Sequence, residues 1–314
     1  ACGTCHDDID FAAGDHVGGI NDDTICVDCH GADSLVSGGA YRVENVHALP
    51  EAAAARAFEY KVVGITDTAP GQTPTATIRV LDPTDPNYAA DPASTAYDIN
   101  DPAGPFQEAS ARLRLDISWN TNSDLGNLDP FDDLARSPTS GAPFGPIAID
   151  FKTGATNDGT NTFTKAASAA IPTGATGSGL AALEGRPRVD IDGSVTSLAV
   201  AADFLAFPIT DTDQMGNPDA RDRRDVVSID KCNDCHNNLS LHGDNRSGNT
   251  EVCSTCHNPN ATDINRRVVD SECDTELGLE DVSIDLKRMI HRIHAGNVGV
   301  CGFNNSAHPY FNVH

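Results

Sequence analysis

Short runs of alternating apolar and polar residues dominate the middle of this 314-residue chain. Residues 58–65, 75–81, 111–119, 147–151 and 188–191 place apolar side chains at every second position, between clusters of Pro, Gly, Asn and Asp. A period of two turns one face of an extended strand toward a core and the other toward solvent. Many short strands with such turns predict a mainly β domain, a split barrel or sandwich of Greek-key type. Residues 81–105 repeat Asp-Pro and read as an ordered loop; residues 153–179, rich in Gly, Ala and Thr, read as a second loop with room for one hairpin. Across 283–296 the period lengthens. Leu286, Met289, Ile290 and Ile293 share one helical face, with Ser283 placed to cap the start and Gly296 to end it. Elsewhere the two ends read as turn and loop.

Those ends carry the chemistry. Cys-x-x-Cys-His occurs four times: Cys2, Cys5, His6; Cys26, Cys29, His30; Cys232, Cys235, His236; and Cys253, Cys256, His257. This is the spacing of c-type haem attachment, in which two thiols form thioethers and the following imidazole meets the iron. The alternative is a pair of zinc sites built from Cys-x-x-Cys pairs, although zinc has no need of a histidine after every second cysteine. Eleven histidines are present. His16, His47, His242, His291, His294, His308 and His314 remain once the motifs are served, enough to close the second face of four irons. With two methionines in the chain, His/Met ligation throughout is impossible. Ligation by two imidazoles holds the potential below that of a His/Met cytochrome and leaves no open position, so the chemistry implied is electron transfer.

Composition adds bounds. Aromatic content is 5% and mean hydropathy −0.32, so side chains alone make a thin core that buried porphyrins would supplement. The formal charge of −25 disfavours nucleic acid and anionic membrane surfaces and favours cationic or neutral partners. No stretch has the length of a transmembrane helix, so no membrane insertion is expected. Haem attachment of this kind follows export, so the chain is expected to be a mature product whose signal has been removed, at an extracellular or outer-surface location. Cys273 and Cys301 are the even remainder and read as a disulfide in that compartment, or else as two unpaired buried thiols. The Asp-Pro loop offers carboxylates for Ca2+, the alternative being plain solvation.

The motifs divide the chain into an N-terminal dihaem segment (1–42), a β domain (43–225) and a C-terminal dihaem segment with a His-x-x-His helix (226–314). The expected fold is thus a mainly β domain flanked by loop-rich, haem-packed segments with few short helices.

The C-terminal segment resembles the outer-membrane multihaem cytochromes of the OmcA/MtrC family. The resemblance is carried by residues 229–236, Leu241-His242-Gly243, Arg246, residues 253–259 and residues 289–296. In that family this block opens a five-haem domain after a split β-barrel, and residues 183–193 look like the end of such a barrel. Residues 1–30 look like the last two motifs of a five-haem domain. The resemblance implies distal-ligand roles for His242, His291, His294 and His16; spacing alone leaves all seven spare histidines equal. His47 and His308 stand in reserve, and His314 is expected to face solvent. The chain departs from the family in showing four motifs rather than ten and the motif pairs in inverted order, and no lipid-attachment cysteine is expected. It is similar in haem number and size to OmcE-like tetrahaem filament subunits, in which the C-terminal pair of one subunit meets the N-terminal pair of the next. His16 is the first candidate for an axial ligand crossing that junction.

These readings imply a tetrahaem c-type cytochrome, an electron-transfer protein rather than an enzyme. It would take electrons from outer-membrane donor cytochromes and pass them to extracellular acceptors such as metal oxides, as a head-to-tail homopolymer. A multihaem reductase with one open haem, a monomeric carrier and a surface-binding β module are the alternatives.

Overall fold

The computed structural model describes residues 10, 13–14, 16, 26–39, 41–43, 49–119, 135–136, 143–222, 227–236, 238–257 and 283–294. The central domain begins with helix α2 (Pro50–Ala55), which follows α1 (Cys26–His30). Two four-stranded antiparallel sheets then form. One has the order β1 (Glu59–Thr66), β2 (Thr75–Leu81), β8 (Phe163–Ala166), β7 (Thr156–Asn157). The other runs β12 (Asp203–Pro208), β9 (Ser178–Arg186), β3 (Arg112–Trp119), β6 (Ile147–Asp150). β4 (Ala135–Arg136) pairs with β5 (Pro143–Gly145). β10 (Arg188–Ile191) and β11 (Ser194–Ser197) make a two-residue hairpin whose turn, Asp192-Gly193, has positive φ at both positions, the backbone that Asp-Gly adopts in such loops.

The alternation read from the sequence is the packing. Leu113, Leu115, Ile117 and Trp119 of β3 are fully buried between the sheets with Tyr60, Phe106, Phe151 and Phe163. β1 and β12 lie beside one another at a seam where the Val62 N–H donates to the Asp203 carboxylate (2.7 Å). This mainly β architecture with few short helices is the one expected.

Three local expectations need correction. β9 and β12 escaped the alternation test because β9, Ser-Gly-Leu-Ala-Ala-Leu-Glu-Gly-Arg, is buried on both faces and has no polar stripe. Each described Cys-x-x-Cys-His run lies on or at the end of a short helix rather than in loop: α1, α3 (Ile229–His236) and α4 (Thr250–Ser254). Positions i, i+3 and i+4 share one helical face, which in α1 puts Cys26, Cys29 and His30 on the same side. In α5 (Leu286–His294) the first turn is capped by Asp285, whose carboxylate accepts from Arg288 N, while Ser283 accepts from Asp285 N one step earlier.

The loop at 153–179 does hold a hairpin, β7–β8. In the Asp-Pro loop the carboxylates of Asp82, Asp85, Asp98 and Asp101 each accept a backbone N–H two residues on. These Asx turns explain the Asp content. Among the described residues no three His, Cys, Asp or Glu side chains gather to hold a metal ion. No helix among them is long and apolar enough to cross a membrane.

The outer face of the second sheet matters most for the site. Even-numbered residues of β3 and β9 point there, and the C-terminal segment covers part of it. Leu180 and Ala182 of β9 pack with Ala202, Val252 of α4 and Cys253. Backbone bonds stitch the layers: Gly185 N to Asn245 O (3.0 Å) and Ala202 N to Ser247 O (2.9 Å).

Candidate haem centres

Within the described motifs the cysteines Cys29, Cys232, Cys253 and Cys256 form no disulfide. Burial pushes the Cys253 and Cys256 thiols up to about 11. Zinc needs four converging donors, and no three His, Cys, Asp or Glu side chains gather among the described residues. Haem attachment asks only for two thiols to form thioethers and one imidazole per motif. The donor set therefore fits haem better than zinc.

The histidines fall into pairs. His16 faces His30, His236 faces His294, and His242 faces His257, each with ring centroids 6.1 Å apart. A metal–imidazole bond is about 2.0 Å and the ring centre lies about 1.2 Å further on, so two imidazoles trans across one ion have centroids about 6.4 Å apart. The observed spacing fits one iron per pair. The planes are inclined by 79° and 80° in the first two pairs and by 27° in the third.

Tautomers follow from the hydrogen bonds. His30 Nδ1 lies 2.6 Å from Tyr41 O, His257 Nδ1 2.9 Å from Ile284 O, and His294 Nδ1 2.9 Å from Ile290 O. A carbonyl only accepts, so each Nδ1 donates and Nε2 keeps its lone pair for a metal. Burial, followed by the charge of Arg246, brings His242 down to about 4; burial also lowers His257. Both imidazoles are held neutral, as ligands must be.

His242 sits in the hairpin loop between β13 (Ser240–Leu241) and β14 (Arg246–Ser247), and His242, Gly243 and Asp244 all have positive φ. A non-glycine left-handed residue is costly, and two contacts hold this loop: Asn245 Nδ2 donates to His242 O (2.6 Å) and Arg186 Nη1 to Gly243 O (2.5 Å). Side-chain position is thus set by backbone the β domain helps to hold.

Motif reading did not reveal the charged cluster beneath. Asp116 and Glu184, each 0% exposed, lie with Arg114 and Arg246 on the outer sheet face. Arg114 Nε is 2.9 Å from Asp116 Oδ1 and its Nη2 is 2.9 Å from Glu184 Oε1. Arg246 grips both Glu184 oxygens, through Nε (2.5 Å) and Nη2 (3.0 Å). Burial, then the like charge of Asp116, raises Glu184 to about 7; burial also raises Asp116. Arg-Leu-Arg-Leu-Asp in β3 was the available signal: its second face carries opposed charges rather than a uniformly solvated set.

His291 is exposed on α5 with no imidazole opposite it among the described residues. His16 faces His30 of its own chain, so the intersubunit ligand expected of it has a partner within the subunit. Cys2, Cys5, His6, His47, Cys273, Cys301, His308 and His314 lie outside the described residues. No curated protein sequence matches the chain. Residues 224–311 match the family described as outer membrane cytochrome MtrC/MtrF-like, domains II/IV, and over that segment the chain is similar to those cytochromes, as its motifs implied.

Proposed function

We propose that this chain is a tetrahaem c-type cytochrome of extracellular electron transfer, exported to the outer surface. The observation that carries this reading is the set of three histidine pairs at 6.1 Å, each joining a motif histidine to one expected as distal ligand. Haem, when bound, supplies the one-electron redox change. The chain supplies the rest. Cys26 and Cys29, Cys232 and Cys235, and Cys253 and Cys256 anchor the macrocycles, as Cys2 and Cys5 do for the first motif with His6. His16 with His30, His236 with His294 and His242 with His257 would hold the irons, which with two imidazoles each would carry electrons without binding substrate. Backbone carbonyls of Tyr41, Ile284 and Ile290 hold the Nδ1 protons and fix ring orientation.

The segments 1–42, 43–225 and 226–314 act as two dihaem ends on a β spacer. Donors are outer-membrane cytochromes, and acceptors are extracellular oxidants such as metal oxides. Subunits join head to tail, with Cys273 and Cys301 joined as a disulfide. His291 takes over the crossing-ligand role first read for His16: it is exposed, and it stands three residues from His294, so its iron must neighbour that of the His236–His294 pair. Electron microscopy of native material tests the assembly. Filaments that shorten or dissociate in His291→Ala are expected. Wild-type protein that stays monomeric at low and high salt, with four six-coordinate haems, overturns the polymer and leaves a monomeric carrier.

A further inference from the structure

In a chain of formal charge −25, four cations meet at one cavity. Arg112 and Arg114 of β3, Arg186 at the end of β9 and Lys152 after β6 line a space of about 490 Å³, with Asp150 the one carboxylate among the lining residues. β pairing explains the gathering: Arg112 is opposite Arg186, and Arg114 is opposite both Glu184 and Asp150, all directed to the outer face.

Among the described residues Arg114 alone of the four is fully balanced, by Asp116 and Glu184. Arg186 has carbonyl partners, Ser110 O and Gly243 O, and Lys152 Nζ donates to Glu108 O (3.1 Å). Asp150 spends one oxygen on the Lys152 N–H. The half-buried guanidinium of Arg112 makes no hydrogen bond or ion pair among the described residues, and its own burial and the neighbouring Arg114 charge depress its proton affinity. Glu184 and Asp116 offset part of that cost through space, but both are already spent on Arg114 and Arg246. A half-buried guanidinium with no carboxylate in contact gains from one, and the planar fork suits bidentate binding.

The cavity also adjoins a haem centre. Arg186 bonds the carbonyl of Gly243, next to His242, and a Cβ on Gly243 would lie 2.7 Å from Arg186 Nη1. We propose that this cavity seats the propionate carboxylates of the haem held between His242 and His257, with Arg112 as the chief ion-pair partner and Arg186 and Lys152 completing the cradle. The proposal rests on the reading that Cys253, Cys256, His257 and His242 hold a haem. It makes the β domain a second holder of that cofactor, gripping the edge remote from the thioethers. It also sets one haem apart, because reduction adds negative charge and nearby cations favour it.

The test is a spectroscopic redox titration of the full haem-loaded chain as wild type, Arg112→Gln, Arg112→Lys and Lys152→Gln. Haems are counted by pyridine haemochrome and located by peptide mass spectrometry. Loss of one unit charge near one iron should shift a single one-electron component of the four downward by roughly tenfold in its equilibrium constant, or about 59 mV. Arg112→Lys should recover most of the shift, and Lys152→Gln, on the cavity rim, should reproduce part of it. Unchanged components in both glutamine variants overturn the proposal. So does saturable citrate binding by the wild type that Arg112→Gln abolishes, which would make the cavity a site for free anions. Absence of haem from the peptide bearing Cys253 and Cys256 overturns the underlying haem reading instead.

Discussion

Replacing Arg246 with Met tests whether the buried charge cluster holds the C-terminal segment on the β domain. Arg246 comes from the haem segment, and Asp116 and Glu184 come from β3 and β9. Deletion removes a two-point contact to Glu184 at 2.5 and 3.0 Å and a weaker approach to Asp116 at 3.8 Å. Removing one partner of a buried pair costs about 3–5 kcal/mol, since the charge left behind is uncompensated. For a domain of this size that is a fall in Tm of about 6–20 °C. The cost should depend on pH, with a definite sign. Glu184 goes from 4.5 unfolded to about 7 folded, so the folded state holds its proton more tightly. Its contribution to stability therefore grows as pH falls from about 7 toward 4.5. Below pH 6 Arg246 already faces a neutral carboxyl in the wild type, and deleting it costs only hydrogen bonds, about 1–2 kcal/mol. The assay is urea unfolding at pH 8 and pH 5.5, followed through Trp119, the single tryptophan, which is fully buried in the β core. A cost below about 1 kcal/mol at pH 8, or one equal at both pH values, would refute the reasoning.

His294→Ala should open one axial position opposite His236 without releasing haem: pyridine haemochrome stays at the wild-type count while a high-spin signal appears. The ferric wild type should show two classes of low-spin centre by electron paramagnetic resonance, because two imidazole pairs are nearly perpendicular and one is inclined by 27°; a single class contradicts the paired geometry. Gly179→Ala drives a Cβ into the ring of Phe207, itself buried, so the melting temperature should fall by about 2–12 °C, the effect of about 1–3 kcal/mol of overpacking. Intact mass after alkylation without reduction should show no label on Cys273 or Cys301; two added groups defeat the disulfide.

The sequence determined by itself whatever depends on local spacing. Cys-x-x-Cys-His points to c-type haem because its thiol and imidazole positions are fixed by local spacing, and β3 showed its buried face because Leu113, Leu115, Ile117 and Trp119 alternate with polar neighbours. The tertiary structure alone decided what depends on long separations. Ala181 and Ala182 look featureless in sequence, yet β9 is central because the other sheet covers one face and α4 the other. Which spare histidine faces which motif was equally hidden. His242 meets His257 through a strained hairpin loop braced by Arg186, and His294 reaches His236 along a helix fifty residues further on. Partner choice is a matter of distance in space, and the spacing of residues along a chain fixes that distance only over a turn or two of backbone. Arg112, Arg114 and Lys152 read as ordinary solvated charges until strand register set them around one cavity.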